Sequence, residues 1–419
     1  MSDRAVSPDR LRQKTGAGQM AKNKTTDMKS DDVQQAGQPL AQQAALLPAG
    51  LQDVLYPQSD NDAKASEIIM SCLASFGYNR VQPPLVEFED SLLGDKIGAA
   101  LSDKTFRLLD PLSHKMMALR ADMTAQIARI SGTRLSHVPR PLRLSYCGAV
   151  MRVVPDVLNP ERQMVQAGAE LIGSSDALAS AEMISLAVQS LNKAGITGLT
   201  IDIGIPHLFD VIIGDVSDEI YKNLSDALSL RDVDQLVMID HPAAALLAKL
   251  VNASGQNPDK LTQMLPDLSD EAATMVRDVL NVQKMVCEIW PDLPITLDLL
   301  DRRDGDYHNG LSFAVFAENL RGEIAKGGAY VTGFGEEATG LSIYMERVLR
   351  ALPESEKPPS IYVASTAGLA TAMALTNRGR HVVMGGETDD PEAEALNCGC
   401  EFIVTQADGM PVALDKKKR

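Results

Sequence analysis

Long apolar runs are missing from this chain. No stretch of its 419 residues approaches the ~18 to 20 consecutive apolar residues that span a bilayer. No membrane partner is therefore expected, and the N-terminus, without an apolar signal core, does not read as a secretory leader. Cysteine is scarce and odd in number: Cys72, Cys147, Cys287, Cys398 and Cys400. The lone Cys398-x-Cys400 pair has no second pair or histidine cluster to complete a zinc site, so no metal is expected. Inert thiols in a reducing, cytoplasmic setting are the expectation. Positive charge is also in deficit, with 40 Lys and Arg against 56 Asp and Glu and a formal net charge of −16. Nucleic-acid binding rests largely on Lys and Arg displacing counterions from phosphates, so no nucleic-acid partner is expected. A net value still leaves room for a local basic groove.

What is present supports a sizeable core. Hydrophobic residues make up 45% of the chain, and its length suits two or three domains. Residues 1–40 are rich in Lys, Ser, Asp, Gln and Gly, a composition that buries too little apolar surface to offset the entropy of ordering. They read as a disordered extension. Ordered structure is expected over 41–352, with a short C-terminal segment over 353–419 ending in a basic tail.

Within the ordered part, apolar periodicity predicts an amphipathic helix over about 59–76 and a strand over 81–88. A hairpin over 106–110 and 116–120 and a helix from 122 to about 130 follow. Next come a helix over 176–193 and a strand over 196–203. The pattern then turns wholly helical over about 207–292, which reads as an insertion between strands of one domain. Strand character resumes over 295–300.

The stretch from Arg140 to Gly173 carries the chemistry. An apolar run over 142–150 reads as a strand closed by Arg152, then a loop holds Pro155 and Pro160, and a second strand carries Gln166 and Glu170. Residues an even number apart on a strand share a face, so Gln166 and Glu170 point the same way. A cation from one strand with an amide and a carboxylate from the next suits a small zwitterion such as an amino acid. A solvated polar hairpin face has the same pattern.

This stretch resembles motif 2 of class II aminoacyl-tRNA synthetases, specifically the histidine branch. Arg152, Arg162-Gln163-Met164-Val165-Gln166 and Gln166-Ala167-Gly168-Ala169-Glu170-Leu171-Ile172-Gly173 stand for an arginine closing a strand, Arg-Glu-Phe-x-Gln and Gln-x-Gly-x-Glu-x-x-Gly. Gly77-Tyr78, Pro83 or Pro84, and Glu87 follow the order of motif 1, the family's dimer interface. Gly340 to Arg347 matches motif 3, with Arg347 on a helix over about 341–352.

Asp122 and Thr124 stand where the histidine branch has an acid and a hydroxyl that bind the amino group of histidine. Both also suit the start of a helix. The segment Leu300 to Phe313 resembles the histidine signature Arg-Gly-x-Asp-Tyr-Tyr-Thr-Gly-x-x-Phe. Arg303, Asp306, Tyr307, Gly310 and Phe313 fit, whereas Asp304, Gly305, His308 and Asn309 depart. The resemblance implies that Arg303 meets the ligand carboxylate and that Tyr307, with His308 beside it, surrounds the imidazole. An Asp304-Gly305-Asp306 turn between strands would give the same local pattern.

The expected fold is α+β, an antiparallel sheet flanked by helices with a helical insertion and a small α/β C-terminal segment. The implied histidine-binding set is Asp122, Thr124, Arg152, Gln166, Glu170, Arg303, Tyr307 and His308, with no catalytic residue. The nucleotide side is thinned, with Pro160 and Ala329 where synthetases favour basic residues. From Ile361 to Leu414 the only basic residues are Arg378 and Arg380, against seven acidic ones, in a segment short for an anticodon-binding domain.

A histidine pocket without that apparatus resembles the regulatory-subunit family of ATP phosphoribosyltransferase, a histidyl-synthetase paralogue. It implies a non-catalytic role in the first step of histidine biosynthesis, with L-histidine as allosteric effector and no cofactor. It also implies a short catalytic subunit as partner and a homodimer within a hetero-octamer. The alternatives are a histidyl-tRNA synthetase with a divergent C-terminus and an orphan small-molecule binder.

Overall fold

The computed structural model describes residues 46–94, 96–155, 160–302, 308–353 and 358–415. Arg303 and Tyr307 lie outside them. The strands in chain order are β1 (Asn79–Arg80), β2 (Val86–Phe88), β3 (Arg107–Leu109), β4 (Met116–Leu119), β5 (Leu142–Met151) and β6 (Gln163–Ile172). They continue with β7 (Leu199–Gly204), β8 (Ile295–Leu297), β9 (Ser312–Ala317), β10 (Ala325–Val331) and β11 (Glu337–Tyr344).

An eight-stranded sheet in the order β1-β5-β6-β11-β10-β9-β7-β8 forms the frame. It is antiparallel from β5 through β7, and only the edge pairings, β1 with β5 and β7 with β8, are parallel. The fold is therefore α+β, of the class II synthetase type, with a mixed sheet flanked by helices. A three-stranded sheet, β2-β4-β3, contains the expected hairpin.

The alternation of side chains divides the large sheet into two chemically different faces. Ala167, Ala169, Leu171, Leu341, Ile343, Ala325, Val315, Ile201 and Ile203 share one core with Ile184, Leu186, Ala187 and Leu191 of helix Ala177–Ala194. That helix starts where the Asp176 carboxylate accepts from the Ala179 N–H at 2.8 Å and stops at Gly195, whose φ of 100° suits glycine. Helix Gln58–Ser75 adds Ile69 and Leu73 to the same core. The opposite pleat carries Gln166, Gly168 and Glu170, then Gly340, Ser342 and Tyr344, then Lys326 and Gly328. Part of that side is filled where Leu144, Tyr146, Val150 and Ile172 pack against Met123 and Ile127, and a cleft is left open over the polar and small residues.

Between the parallel strands β7 and β8 the chain is helical, with segments Leu208–Ile213, Asp218–Ser229, Val233–Met238, Pro242–Ala253, Pro258–Met264 and Asp270–Ile289. Ser217, Asp232 and Ser269 cap three of them through their own side chains, and Pro242 and Pro258 occupy first turns. The helical pattern over 207–292 does not resolve the bounds of Val233–Met238 and Pro258–Met264, which are too short to show a period of their own.

Other boundaries differ from the pattern reading. The strand expected over 81–88 is interrupted and resumes as strand only at Val86–Phe88, because Pro83 and Pro84 lack the N–H groups a ladder needs. The strand expected from Ile196 starts at Leu199, after Gly198 at φ 64°, and that over 295–300 ends at Leu297. The helix expected over 341–352 is corrected to Met345–Ala351, because Leu341 to Tyr344 pair with β6 and β10 as strand.

The C-terminal segment forms its own sheet from β12 (Ser360–Val363), β13 (His381–Met384), β14 (Phe402–Val404) and β15 (Val412–Ala413), in the order β13-β12-β14-β15. Helix Gly368–Thr376 follows β12 and helix Pro391–Asn397 follows β13, so the segment is α/β as expected. No described helix is long and apolar enough to cross a membrane.

Candidate functional site

The cleft on the polar face has two connecting chambers. Lys104, Arg152, His308, Lys326, Gly327 and Tyr344 line both. The inner one, about 340 Å³, also exposes Asp122, Thr124, Glu170, Arg302, Tyr330 and Ser342.

At its floor lies Glu170, 1% exposed, opposite Leu144 on β5 and Gly340 on β11. A Cβ on Gly340 would stand 2.3 Å from Oε2 of Glu170, so only glycine leaves the carboxyl its place. Tyr330 donates its hydroxyl to Oε2 at 2.8 Å, and Tyr146 donates to Oε1 at 3.3 Å. Burial pushes the Glu170 carboxyl up to about 8, only partly offset by the hydroxyls of Tyr330 and Thr124. Burial also pushes the Tyr146 phenol up. The floor is therefore a nearly neutral acid in a ring of hydroxyls, ready to accept from an N–H and to ionise when a cationic group arrives.

Gln166, fully buried, spends its amide on orientation. Its Oε1 accepts from the Met123 N–H at 3.1 Å, and its Nε2 donates to Asp122 at 2.9 Å and to Ser342 at 2.7 Å. The other oxygen of Asp122 accepts from the Thr124 N–H at 2.8 Å, at the first residue of helix Thr124–Gly132, while Asp122 also lines the chamber. The helix that follows, Thr124–Gly132, is anchored by Arg129 and Gln126, which both bond to Glu87.

Arg152 ends β5 on the cleft side, where its Nε donates to the Ala121 carbonyl at 3.2 Å. His308 is buried, with Nδ1 3.3 Å from the Ala329 carbonyl. The structure thus brings Asp122, Thr124, Arg152, Glu170 and His308 to one chamber, with Gln166 behind Asp122. Pattern reading missed Tyr146, Ser342, Lys326, Lys104 and Arg302. Tyr146 and Ser342 sit on the same pleat as Arg152 and Gly340, so strand parity would have found them. Lys104 ends a three-residue 3-10 helix, Ser102–Lys104, and Arg302 lies in the chain after β8; neither segment is long enough to show such a period.

The outer chamber, about 470 Å³, mixes charges. Arg152, Lys104, Lys326 and Arg347 face Glu161, Asp202, Asp301, Glu323 and Glu346. Arg347 lies 3.2 Å from the Glu323 carboxylate and stacks 5.1 Å over the Tyr344 ring. Glu346 accepts the Val165 N–H, and burial raises its carboxyl to about 7. Among the described residues, no group of His, Cys, Asp and Glu is placed to hold a metal.

The histidyl-tRNA synthetase family model matches residues 50–348. The ATP phosphoribosyltransferase regulatory subunit of Paramagnetospirillum magneticum is 41% identical over 360 residues, covering 85% of this chain and 95% of its own. That of Rhodospirillum centenum is 38% identical over 373 residues, covering 87% and 96%. Among solved structures, an ATP phosphoribosyltransferase regulatory subunit/histidyl-tRNA synthetase from Bacillus halodurans superposes with a TM-score of 0.74 at 21% identity, over 88% of this chain and 99% of that one. Histidyl-tRNA synthetase from Nostoc superposes with a TM-score of 0.68 at 18% identity, over 87% and 91%. At these identities the structures speak for the fold.

Proposed function

Since the chain belongs to the family of ATP phosphoribosyltransferase regulatory subunits, we propose that it binds and activates the short catalytic subunit of that enzyme, and that L-histidine in the inner chamber reverses the activation. The chain is a regulatory member of the family, not a catalytic one. The observation that carries the effector assignment is the buried Glu170 in its ring of hydroxyls, with Asp122 and Thr124 on one side and Arg152 at the mouth. An imidazole N–H would donate to Glu170, the α-ammonium to Asp122 and Thr124, and the α-carboxylate would pair with Arg303, with Arg152 adding positive charge at the mouth. Tyr307 and His308 complete the proposed set.

Histidine inhibits in this reading because it binds one arrangement of the assembly better than another. The assembly we propose is a hetero-octamer built on homodimers of this chain, in the cytoplasm, with histidine as effector and no cofactor. The mixed charge of the outer chamber is a poor match for a triphosphate, which favours this reading over amino-acid activation.

The test is phosphoribosyl-ATP formation by the catalytic subunit from the same source, with and without this chain. A large activation, reversed by histidine and no longer reversed with Glu170→Ala, is expected. No change in rate, with histidine-dependent ATP–pyrophosphate exchange by this chain alone, would overturn the proposal.

A further inference from the structure

Arg302 is the inner-chamber cation that follows β8 and packs against the helical insertion. It lines that chamber, yet its guanidinium is held by the helical insertion. It lies 4.5 Å from the Phe209 ring centroid and 5.4 Å from that of Tyr221, donates to Ser225 Oγ at 2.9 Å, and donates to the Tyr221 hydroxyl. Phe209 is fully buried and meets Tyr221 edge-on at 5.5 Å, so the cradle is built into the packing of helices Leu208–Ile213 and Asp218–Ser229. The chain leading to Arg302 is tied to the insertion as well. Arg231 pairs with Asp298, Ser254 donates to Asp298 at 3.4 Å, and Gly255 and Leu297 exchange backbone hydrogen bonds.

We infer that Arg302 is a positioning residue through which the helical insertion sets the wall of the effector chamber, so that occupancy of the chamber changes how firmly the insertion packs. The inference rests on the proposed reading of that chamber. A guanidinium set against two rings and bonded to two hydroxyls has little freedom. A ligand that presses on its cavity side must either accept that position, which tightens the cradle, or displace it, which loosens helices Leu208–Ile213 and Asp218–Ser229. The guanidinium is already held in the cradle, so the first case is the one inferred, and thermodynamic reciprocity then requires that weakening the cradle weaken the ligand. The insertion becomes the element that reports occupancy to the rest of the assembly.

Hydrogen exchange of the full chain, with and without saturating L-histidine and alongside calorimetric titration, tests this for wild type, Arg302→Met and Tyr221→Phe. In wild type, histidine is expected to slow exchange in both helices. Tyr221→Phe, which keeps the ring and loses the phenol, is expected to weaken histidine roughly three- to tenfold and to shrink the slowing. Arg302→Met is expected to abolish the slowing. A merely structural role would speed exchange equally with and without ligand, leaving the histidine-dependent difference intact. That result, or calorimetric binding to wild type with no change in either helix, overturns the inference alone. Absence of calorimetric binding to wild type overturns the chamber assignment and this inference with it. If Arg302→Met loses its cooperative melt, Tyr221→Phe decides by the same criteria.

Discussion

Glu170 shows how one side chain ties fold to function. Its carboxyl is held up to about 8 by burial, far above the unfolded value near 4.5. The folded chain therefore keeps a proton that the unfolded chain releases, and raising the pH between those two values favours unfolding. Wild-type stability is expected to fall by up to about 1.4 kcal/mol per pH unit across that window from this group, and less steeply in Glu170→Gln. Urea melts at pH 5, 6, 7 and 8 check it; parallel slopes in the two proteins would contradict it. Glu346, raised to about 7 by burial, adds a smaller term of the same sign. Gly340→Ala is the matching steric test. With its Cβ 2.3 Å from Glu170 Oε2, it is expected to cost about 1–3 kcal/mol in a urea melt and to weaken histidine in calorimetry. The carboxylate and the glycine were both legible as a motif. Their contact across β6 and β11 was not, because strand register depends on residues far apart in the chain.

Elements were legible where a local signal was strong. Helix Ala177–Ala194 has an acid at its start, a glycine at its end and an apolar stripe between, and it was anticipated within a residue or two. Asp176→Ala removes the cap and is expected to cost about 1 kcal/mol in a urea melt, with histidine affinity unchanged. A cost near zero would mean that packing alone sets the helix start. The segment from Leu341 to Tyr344 went the other way. Its sequence suits the following helix, but pairing with β6 and β10 holds it extended, a case of tertiary context overriding local pattern. Short helices such as Val233–Met238 and Pro391–Asn397 span too few turns for an apolar period to emerge.

For the whole molecule, the charge balance carries the clearest consequence. With a net charge of −16, the chain is expected not to retard transfer RNA in a gel-shift at about 150 mM salt, where each lost phosphate contact weakens binding further. A shifted band at micromolar protein would point to a local basic surface and reopen the synthetase reading. The C-terminal segment agrees with this balance, since the loop after β13 and the first turn of helix Pro391–Asn397 expose Glu387, Asp389, Asp390 and Glu392.

By itself the sequence determined the α+β class, the helical stretch between β7 and β8, and the grouping of Asp122, Thr124, Arg152 and Glu170 as candidates for one site, because hydrophobic period and short motifs are local properties of the chain. Only the tertiary structure decided which hydroxyls meet Glu170, that Gln166 serves Asp122, that the cleft has a second chamber of mixed charge, and that Arg302 answers to the insertion. Those relations arise from strand register and from packing between segments distant in sequence. Neither leaves a periodic trace along the chain.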